Sequence, residues 1–219
     1  MDEYGIDKDV FIIKKEEILQ SYKDKGKEAC EHGSKVHERM ENLFYQKDAK
    51  TLRSFGLGGS IEVSKGYYKF DKERAAYPEI MLSYKADEYL KVVGQADLVI
   101  KDGNEIRVYD YKSSRSIDKE SFYDKQTKKR QMMKFPLNNL QESNYWIYSL
   151  QLSLYMYIIE QMNPKFRCKK LAIIHIDRDG KETEYECDYL KEDVARMLLH
   201  YRKEQKIKSE LDLDKSIVF

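Results

Sequence analysis

Cysteine, proline and long apolar runs are all scarce in this chain of 219 residues. Its three cysteines, Cys30, Cys168 and Cys187, lie far apart and form no CxxC pair, which argues against a disulfide framework and against a zinc or iron–sulfur site built on thiolates. No segment stays apolar for the roughly 20 residues that a membrane helix requires, so we expect no membrane partner. A hydrophobic share of 41% with only three prolines indicates a folded chain.

The beginning of the chain, MDEYGIDKDVF, is acidic and lacks the basic and then apolar order of a secretory signal peptide. We therefore expect a cytoplasmic protein. The net charge of +1 neither supports nor excludes a nucleic-acid partner, since such binding depends on where the charges cluster.

One cluster of basic residues lies in the run DKQTKKRQMMK, which begins at Asp124. A run of this kind is as typical of a solvated surface as of a phosphate-binding patch. It belongs to a polar, weakly patterned stretch, residues 115–143, which we predict to be a mobile basic flap. The basic residues of the run are Lys125, Lys128, Lys129, Arg130 and Lys134.

Apolar residues recur at helical spacing in some regions and alternate in others. Helices are predicted over Lys14–Gln46, in NYWIYSLQLSLYMYIIEQM and in LKEDVARMLLHYRKEQKI. Strands are predicted near Glu79–Lys85, Leu90–Ile100 and Ile106–Ser113, in KKLAIIHID and in RDGKETEYE after its turn. Because helices precede, separate and follow strands of one sheet, we predict a single α/β domain over residues 1–219, with a mixed central β-sheet flanked by α-helices.

Two aspartates interrupt apolar strand residues in the stretch GQADLVIKDGNEIRVYDYKSS. If this hairpin turns at Gly103-Asn104, then Asp97 lies opposite Asp110 and Gln95 lies opposite Lys112. Like charges that are directly opposed across two strands are destabilising. A divalent cation bound between the two carboxylates would remove that repulsion.

The same pattern is equally typical of two solvent-facing aspartates on the polar side of an amphipathic hairpin. Lys112, on the same face as Asp110, favours a metal site. Carboxylates, a metal ion and an ammonium group together suit phosphodiester hydrolysis, because metal ions activate water and neutralise charge on phosphate oxygens.

These residues resemble the core of the PD-(D/E)XK nuclease superfamily, in its RecB-like branch of phage- and mitochondrial-type exonucleases. Its D-x-K signature corresponds to Asp110-Tyr111-Lys112. Upstream, GSKVHERME resembles the family's helical Gly-x-x-x-His segment, with Gly33 and His37. Downstream, QLSLY resembles its Gln-x-x-x-Tyr motif, with Gln151 and Tyr155. The elements occur in the expected order.

The resemblance implies a restriction-endonuclease-like fold and a site for Mg²⁺ or Mn²⁺. The implied ligands are His37, Asp97, Asp110 and the backbone carbonyl of Tyr111. An imidazole ligand favours Mn²⁺. Taken alone, His37 is more typical of an ordinary half-buried helical histidine, so its role depends on the match. Glu79 resembles the acidic residue that many relatives carry ahead of the core, where it would support the ligands or bind another metal ion.

Other roles also follow from the resemblance. The implied catalytic residues are Lys112, Asp97, Asp110 and Gln151, with Lys112 as the catalytic lysine. The expected DNA contacts are Gln151, Tyr155, Lys125, Lys128, Lys129 and Arg130. Gln151 and Tyr155 share one helix face, where Gln151 would position Lys112 or contact a phosphate. The alternative is that both are polar surface residues without a role, next to the apolar side of the same helix.

We therefore expect a metal-dependent deoxyribonuclease, an exonuclease acting on DNA ends or single strands in replication, recombination or repair. The alternatives are an endonuclease of the same fold, a catalytically inactive DNA-binding module, and a metal-free domain with surface charges on its hairpin. Cas4-like relatives carry four cysteines for an iron–sulfur cluster, which this chain lacks, and it has no Walker A motif. We expect nucleoid-associated activity in the cytoplasm of a bacterial or phage-infected cell; the oligomeric state stays open.

Overall fold

The computed structural model describes residues 8–57, 61–64 and 69–215. Its helices are α1 (Lys8–Tyr45), α2 (Ala49–Ser54), α3 (Asn144–Met162) and α4 (Lys191–Lys215). Its strands are β1 (Glu62–Val63), β2 (Arg74–Lys85), β3 (Lys91–Asp102), β4 (Glu105–Lys112), β5 (Tyr123–Asp124), β6 (Lys129–Arg130), β7 (Arg167–Ile176) and β8 (Glu182–Cys187). Residues 1–7, on which much of the signal-peptide prediction rests, lie outside the described residues.

Six strands form the central sheet in the order β1-β2-β3-β4-β7-β8. The neighbours β1 and β2 are parallel, as are β4 and β7, and the other neighbouring pairs are antiparallel. The return from β4 to a parallel β7 requires a crossover, and α3 supplies it. The predicted mixed sheet flanked by helices is confirmed.

Helices cover both faces of this sheet. On one face α3 packs against apolar side chains of the central strands, with Leu152, Met156 and Ile159 fully buried. On the other face α1 packs through side chains spaced about one helical turn apart, including Met40 and Phe44. The sheet is thus buried on both sides, and α1 and α3 approach its central strands from opposite directions.

The β3–β4 hairpin has the predicted turn and register. Gly103 has a φ of 59°, a left-handed conformation that glycine adopts without a steric penalty. Pairing begins at Asp102–Glu105 and continues without a slip to Leu98–Tyr109. Pairing ends there. The same register places Asp97 opposite Asp110 and Gln95 opposite Lys112, as predicted, but these residues follow the last paired position.

Several elements are longer than predicted. Helix α1 begins at Lys8 rather than near Lys14, and α4 continues to Lys215. Strand β2 begins at Arg74 rather than near Glu79, and the four residues between them, Ala75, Ala76, Tyr77 and Pro78, are buried. Among the described residues, no helix is both long and apolar enough to span a bilayer.

The connection over residues 115–143 contains the small β5–β6 hairpin and two buried leucines. Leu137 and Leu140 pack in one cluster with side chains of α3 and α4. Ile117, before the basic run, packs with other side chains of α3, so the connection is attached to the body of the protein on both sides of that run. The mobility of this flap stays a prediction.

Candidate active site

Three acidic residues form one row across β2, β3 and β4. The pairing of β2 with β3 keeps one register on both sides of Glu79, which therefore lies opposite Asp97. Asp110 is the next residue of β4 in register with Asp97. Because directly opposed positions lie about 5 Å apart, the row concentrates three carboxylates where β3 and β4 separate.

The strands are irregular at this row. Tyr77 and Ile80 of β2 pack into the same hydrophobic cluster, as do Ala96 and Val99 of β3. Since side chains of a regular strand alternate between faces, the alternation shifts by one residue in both strands. Glu79 itself has a φ of 50°, which costs a non-glycine residue about 1–3 kcal/mol and is typical of functional sites.

His37 of α1 brings an imidazole to two of these carboxylates. Its Nδ1 lies 3.5 Å from Glu79 Oε1 and 3.4 Å from Asp97 Oδ1. The hydrogen bond with Glu79, and then the charge of Asp97, raise the pKa of His37 although burial opposes the shift. The three side chains offer ligand atoms within 4.8 Å of one another, so a single metal ion can contact all three.

A cleft of about 930 Å³ opens in front of His37 and Glu79. Gly33 lines it one helical turn before His37, and Pro78 and Gln95 line it from the sheet. Ligand pockets in proteins typically measure about 300–1,000 Å³. The cleft therefore gives a molecule of nucleotide size access from the α1 side to His37 and Glu79, at one end of the acidic row.

Asp97 and Asp110 are buried, with 7% and 0% of their surface exposed. Burial, and then the charge of Asp110, raise the pKa of Asp97 to about 7, although His37 and Lys112 act in the other direction. Burial also raises the pKa of Asp110, against the effect of Lys112. The two carboxylates therefore resist ionising together unless further positive charge joins them.

The Asp110 carboxylate is only partly satisfied. Lys112 Nζ contacts its Oδ2, whereas its Oδ1 meets no hydrogen-bond donor among the described residues. A buried carboxylate oxygen without a donor is uncommon and costly. It fits a hard divalent cation such as Mg²⁺ or Mn²⁺, which prefers oxygen ligands. The donor chemistry of the row thus suits the expected metal.

The backbone of Tyr111 adds a further oxygen. Its N–H donates a hydrogen bond of 2.6 Å to Asp97 Oδ2. Since the N–H and C=O of one antiparallel strand residue point to the same neighbouring strand, the Tyr111 carbonyl also points toward β3. The ring turns the other way into the core under α1, as predicted for a residue between Asp110 and Lys112.

Helix α3 approaches from the other face. Gln151 Nε2 donates to the Tyr155 hydroxyl at 2.8 Å. A Cβ at Gly94 would lie 2.7 Å from Tyr155 Cε1, so this close approach requires glycine. Burial raises the pKa of Tyr155, and the charges of Asp110 and Asp97 also raise it.

The predicted basic residues lie apart from this cluster. Lys125, Lys128, Lys129 and Arg130 belong to the β5–β6 hairpin and its turn. None of the four contacts Asp97 or Asp110 within the described part of the chain. Arg130 instead donates to the Ser121 carbonyl at 2.7 Å and pairs with Glu120. Their predicted role in DNA binding is not decided by these contacts.

Two residues of the site were not predicted. Gln95 Nε2 donates to Glu79 Oε2 at 2.8 Å, and the Tyr148 ring centre lies 4.8 Å from Lys112 Nζ. Spacing could have identified Tyr148, because it precedes Gln151 by about one helical turn. Gln151 makes no hydrogen bond to Lys112 among the described residues, so its positioning role stays a prediction.

The chain is similar to a known protein family and to solved structures. The model of the PD-(D/E)XK nuclease superfamily matches residues 16–214. A Eubacterium rectale protein named "Putative exonuclease" is 15% identical, over 81% of this chain and 68% of its own, with a TM-score of 0.42. The protein SSO0001 is 19% identical, over 60% of this chain and 50% of its own, with a TM-score of 0.36. The chain thus spans half the length of SSO0001. No curated protein matches it.

Proposed function

Since the chain belongs to the PD-(D/E)XK nuclease superfamily, a family of nucleic-acid phosphodiester hydrolases, we propose that it is a deoxyribonuclease dependent on Mg²⁺ or Mn²⁺. Its mixed sheet between helices is the restriction-endonuclease-like fold of that superfamily. The observation that carries the proposal is the buried Asp97–Asp110 pair, with an unsatisfied carboxylate oxygen, between Lys112 and the His37–Glu79 pair.

In this proposal Asp97, Asp110, His37 and the Tyr111 carbonyl hold the metal, and Glu79 supports them or binds a second ion. The bound ion supplies Lewis-acid chemistry, which polarises a phosphoryl oxygen and offsets negative charge. The Tyr111 N–H fixes Asp97 by occupying its Oδ2, so Oδ1 remains directed toward His37.

Lys112 provides the second positive charge. It is 19% exposed at its side chain, contacts Asp110 and lies on the face that α3 covers. From there its ammonium group can donate a hydrogen bond to a phosphate oxygen as negative charge develops on it. In a poorly solvated site such a donor acts without reorganisation of water. Gln151 and Tyr155 extend the same face toward the DNA backbone.

The proposed substrate is DNA at ends or in single strands, and the proposed setting is replication, recombination or repair. Support comes from the ordered motifs around Gly33–His37, Asp110–Lys112 and Gln151–Tyr155, which resemble those of phage- and mitochondrial-type exonucleases. Basic residues of the β5–β6 hairpin would add phosphate contacts, because clustered cations dominate DNA affinity.

The test is digestion of end-labelled linear DNA and closed circular DNA, single- and double-stranded, with Mg²⁺ or Mn²⁺ and with EDTA. We expect the ion to be required and linear molecules to be degraded from their ends. Lys112→Ala should remove the activity, whereas Lys169→Ala, at the distant Glu105 ion pair, should not. Cleavage of closed circles would indicate an endonuclease. Binding without cleavage by any ion would indicate an inactive DNA-binding module.

A further inference from the structure

A finger hairpin, residues 122–131, extends from the connection between β4 and α3. Its strands β5 and β6 pair at Tyr123–Arg130 and Asp124–Lys129. Its base is fixed to the body, because the Ser121 N–H donates to Gln141 Oε1 at 3.0 Å. The remainder is largely exposed to solvent. The hairpin therefore presents its side chains outward from an anchored base.

Two aromatic rings stand on this finger hairpin in contact with solvent. Phe122 is 71% exposed and Tyr123 is 44% exposed. Successive strand residues point to opposite faces, so each face of the hairpin carries one ring. The Arg130 guanidinium lies over the Tyr123 ring, 5.4 Å from its centre, and is held there by the Ser121 carbonyl and Glu120. Both rings forgo the stabilisation of burial, and both lie on a hairpin that also carries several lysines.

The finger hairpin is also positively charged. Among the described residues, Lys125, Lys128 and Lys129 have no carboxylate within ion-pairing distance. The hairpin's own acidic residue, Asp124, is occupied within the turn, since it accepts from the Gln126 N–H and the Thr127 hydroxyl at 2.8 and 2.7 Å. Its free cations thus complement a polyanion rather than an acidic neighbour within the protein.

The order of elements along the chain links the finger hairpin to the candidate active site. The chain leaves that site at Lys112, forms the finger hairpin, and returns to the site at Tyr148 on α3. The connection that carries the finger hairpin therefore begins and ends beside the candidate active site. Exposed rings beside cations suit unpaired bases, whose faces are accessible, and not a duplex, whose bases are stacked on one another.

We propose that the finger hairpin binds single-stranded DNA, with Phe122 and the Tyr123–Arg130 surface stacking on unpaired bases while the lysines contact phosphates. This inference rests on the proposed function and deepens it, because it assigns a strand preference to the same site. A duplex would gain only the phosphate contacts.

The test is DNA binding by the full chain in EDTA, measured by fluorescence anisotropy at several salt concentrations. The probes are a labelled single strand of about 20 nucleotides, longer than the roughly 4–16 that one such module covers, and its blunt duplex. Phe122→Ala should weaken single-strand binding by about 5- to 100-fold and leave the salt slope and duplex binding unchanged. Lys128→Ala should instead lower the salt slope for the single strand by about 0.7.

Two further variants serve as controls. Tyr123→Phe should bind like the unmodified chain, because the ring is kept. Tyr22→Ala removes an equally exposed ring from α1, 69% exposed, and should have no effect. Single-strand affinity unchanged in both Phe122→Ala and Tyr123→Ala would overturn the inference, as would an equal loss for single strand and duplex.

The two proposals can fail separately because binding is measured without metal. Metal-dependent cleavage together with normal single-strand binding by both Phe122→Ala and Tyr123→Ala would overturn only the stacking surface. A ring-dependent single-strand preference without cleavage under any metal would support the surface and overturn the nuclease function.

Discussion

The β3–β4 hairpin buries one charged side chain near each end, and the two side chains differ in how many hydrogen-bond partners surround them. Near the turn, Lys101 is 5% exposed, and its ammonium donates to the carbonyls of Lys72 and Glu73 at 2.6 and 3.1 Å. The Glu73 carboxylate lies 3.8 Å away. At the other end, Asp110 is fully buried with one oxygen that meets no donor among the described residues.

This difference distinguishes a structural charge from a functional one. A buried charge is tolerated when hydrogen bonds and an opposite charge surround it, and Lys101 meets that condition within the protein. Asp110 contacts the positive Lys112 and is also favoured by the charge of His37, whereas Asp97 repels it. The Asp110 oxygen that meets no donor among the described residues is the feature from which we infer a cation site. Substitutions at one end of the hairpin should therefore have different effects from substitutions at the other.

The largest expected effect is on DNA cleavage. Replacing a residue that only hydrogen-bonds to a metal ligand lowers metal affinity or activity by about 10–100-fold. We expect loss of the ligand itself in Asp110→Asn to lower kcat by at least about 1000-fold. Lys101→Met should retain cleavage within a few fold at a temperature where it is folded. Gel assays on end-labelled DNA with Mn²⁺ would measure both. Equal losses would remove the distinction between the two ends.

A second effect should appear in the pH dependence of the metal-free protein. The pKa of Asp97, about 7 when folded, exceeds the value of about 3.9 for an unfolded aspartate. Its contribution to stability is therefore fully present below pH 4 and is lost as the pH rises to 7. At about 1.4 kcal/mol per pKa unit, the loss amounts to a few kcal/mol.

Asp97→Asn should abolish this part of the profile. In EDTA, the free energy of unfolding of the variant relative to the unmodified chain should rise between pH 4 and 7 and level off above that range. Urea titrations at each pH would measure it. A constant difference across the range would show that Asp97 ionises normally.

The two ends should also respond with opposite signs when their charges are removed without metal. Near pH 8, Asp110→Asn removes the repulsion between two buried carboxylates, while Lys112 keeps some contact with solvent, and should raise the free energy of unfolding by about 1 kcal/mol or more. Lys101→Met leaves two carbonyls without their donor and should lower it by about 1–3 kcal/mol. Denaturant unfolding in EDTA tests both. The same sign for both variants would contradict the comparison.

The smallest expected effect concerns Tyr148. Its ring faces the Lys112 ammonium, and such contacts contribute about 0.5–1 kcal/mol at partly exposed sites. Tyr148→Leu should therefore reduce kcat about two- to fivefold, whereas Tyr148→Phe should retain it. A larger loss in Tyr148→Phe than in Tyr148→Leu would show that the hydroxyl, and not the ring, matters.

Local chemistry made the hairpin predictable. Gly103 favours the left-handed turn, and the turn sets the register that brings Asp97 and Asp110 into one row. The ligand candidates His37 and Glu79 were predicted only through the family resemblance. Their meeting at 3.5 Å depends on α1 packing across the sheet through Met40 and Phe44, a contact that no single segment encodes.

Features created by distant contacts could not be predicted. The strand was expected to end at Ile100 because Lys101 looks like a turn residue, yet carbonyls 28 and 29 residues away satisfy it. The shift of face at Glu79 depends on a positive φ, which nothing in YPEIM indicates. The relation of the basic hairpin to the acidic row also rests on tertiary structure, and it stays a prediction.

Calorimetric titration of Mn²⁺ tests the central claim most directly. We predict saturable binding to the metal-free chain near pH 8, the same binding to Lys101→Met, and strongly weakened binding to Asp110→Asn. Absence of binding to the unmodified chain, or equal binding to Asp110→Asn, would contradict the assignment of the open carboxylate row as a metal site.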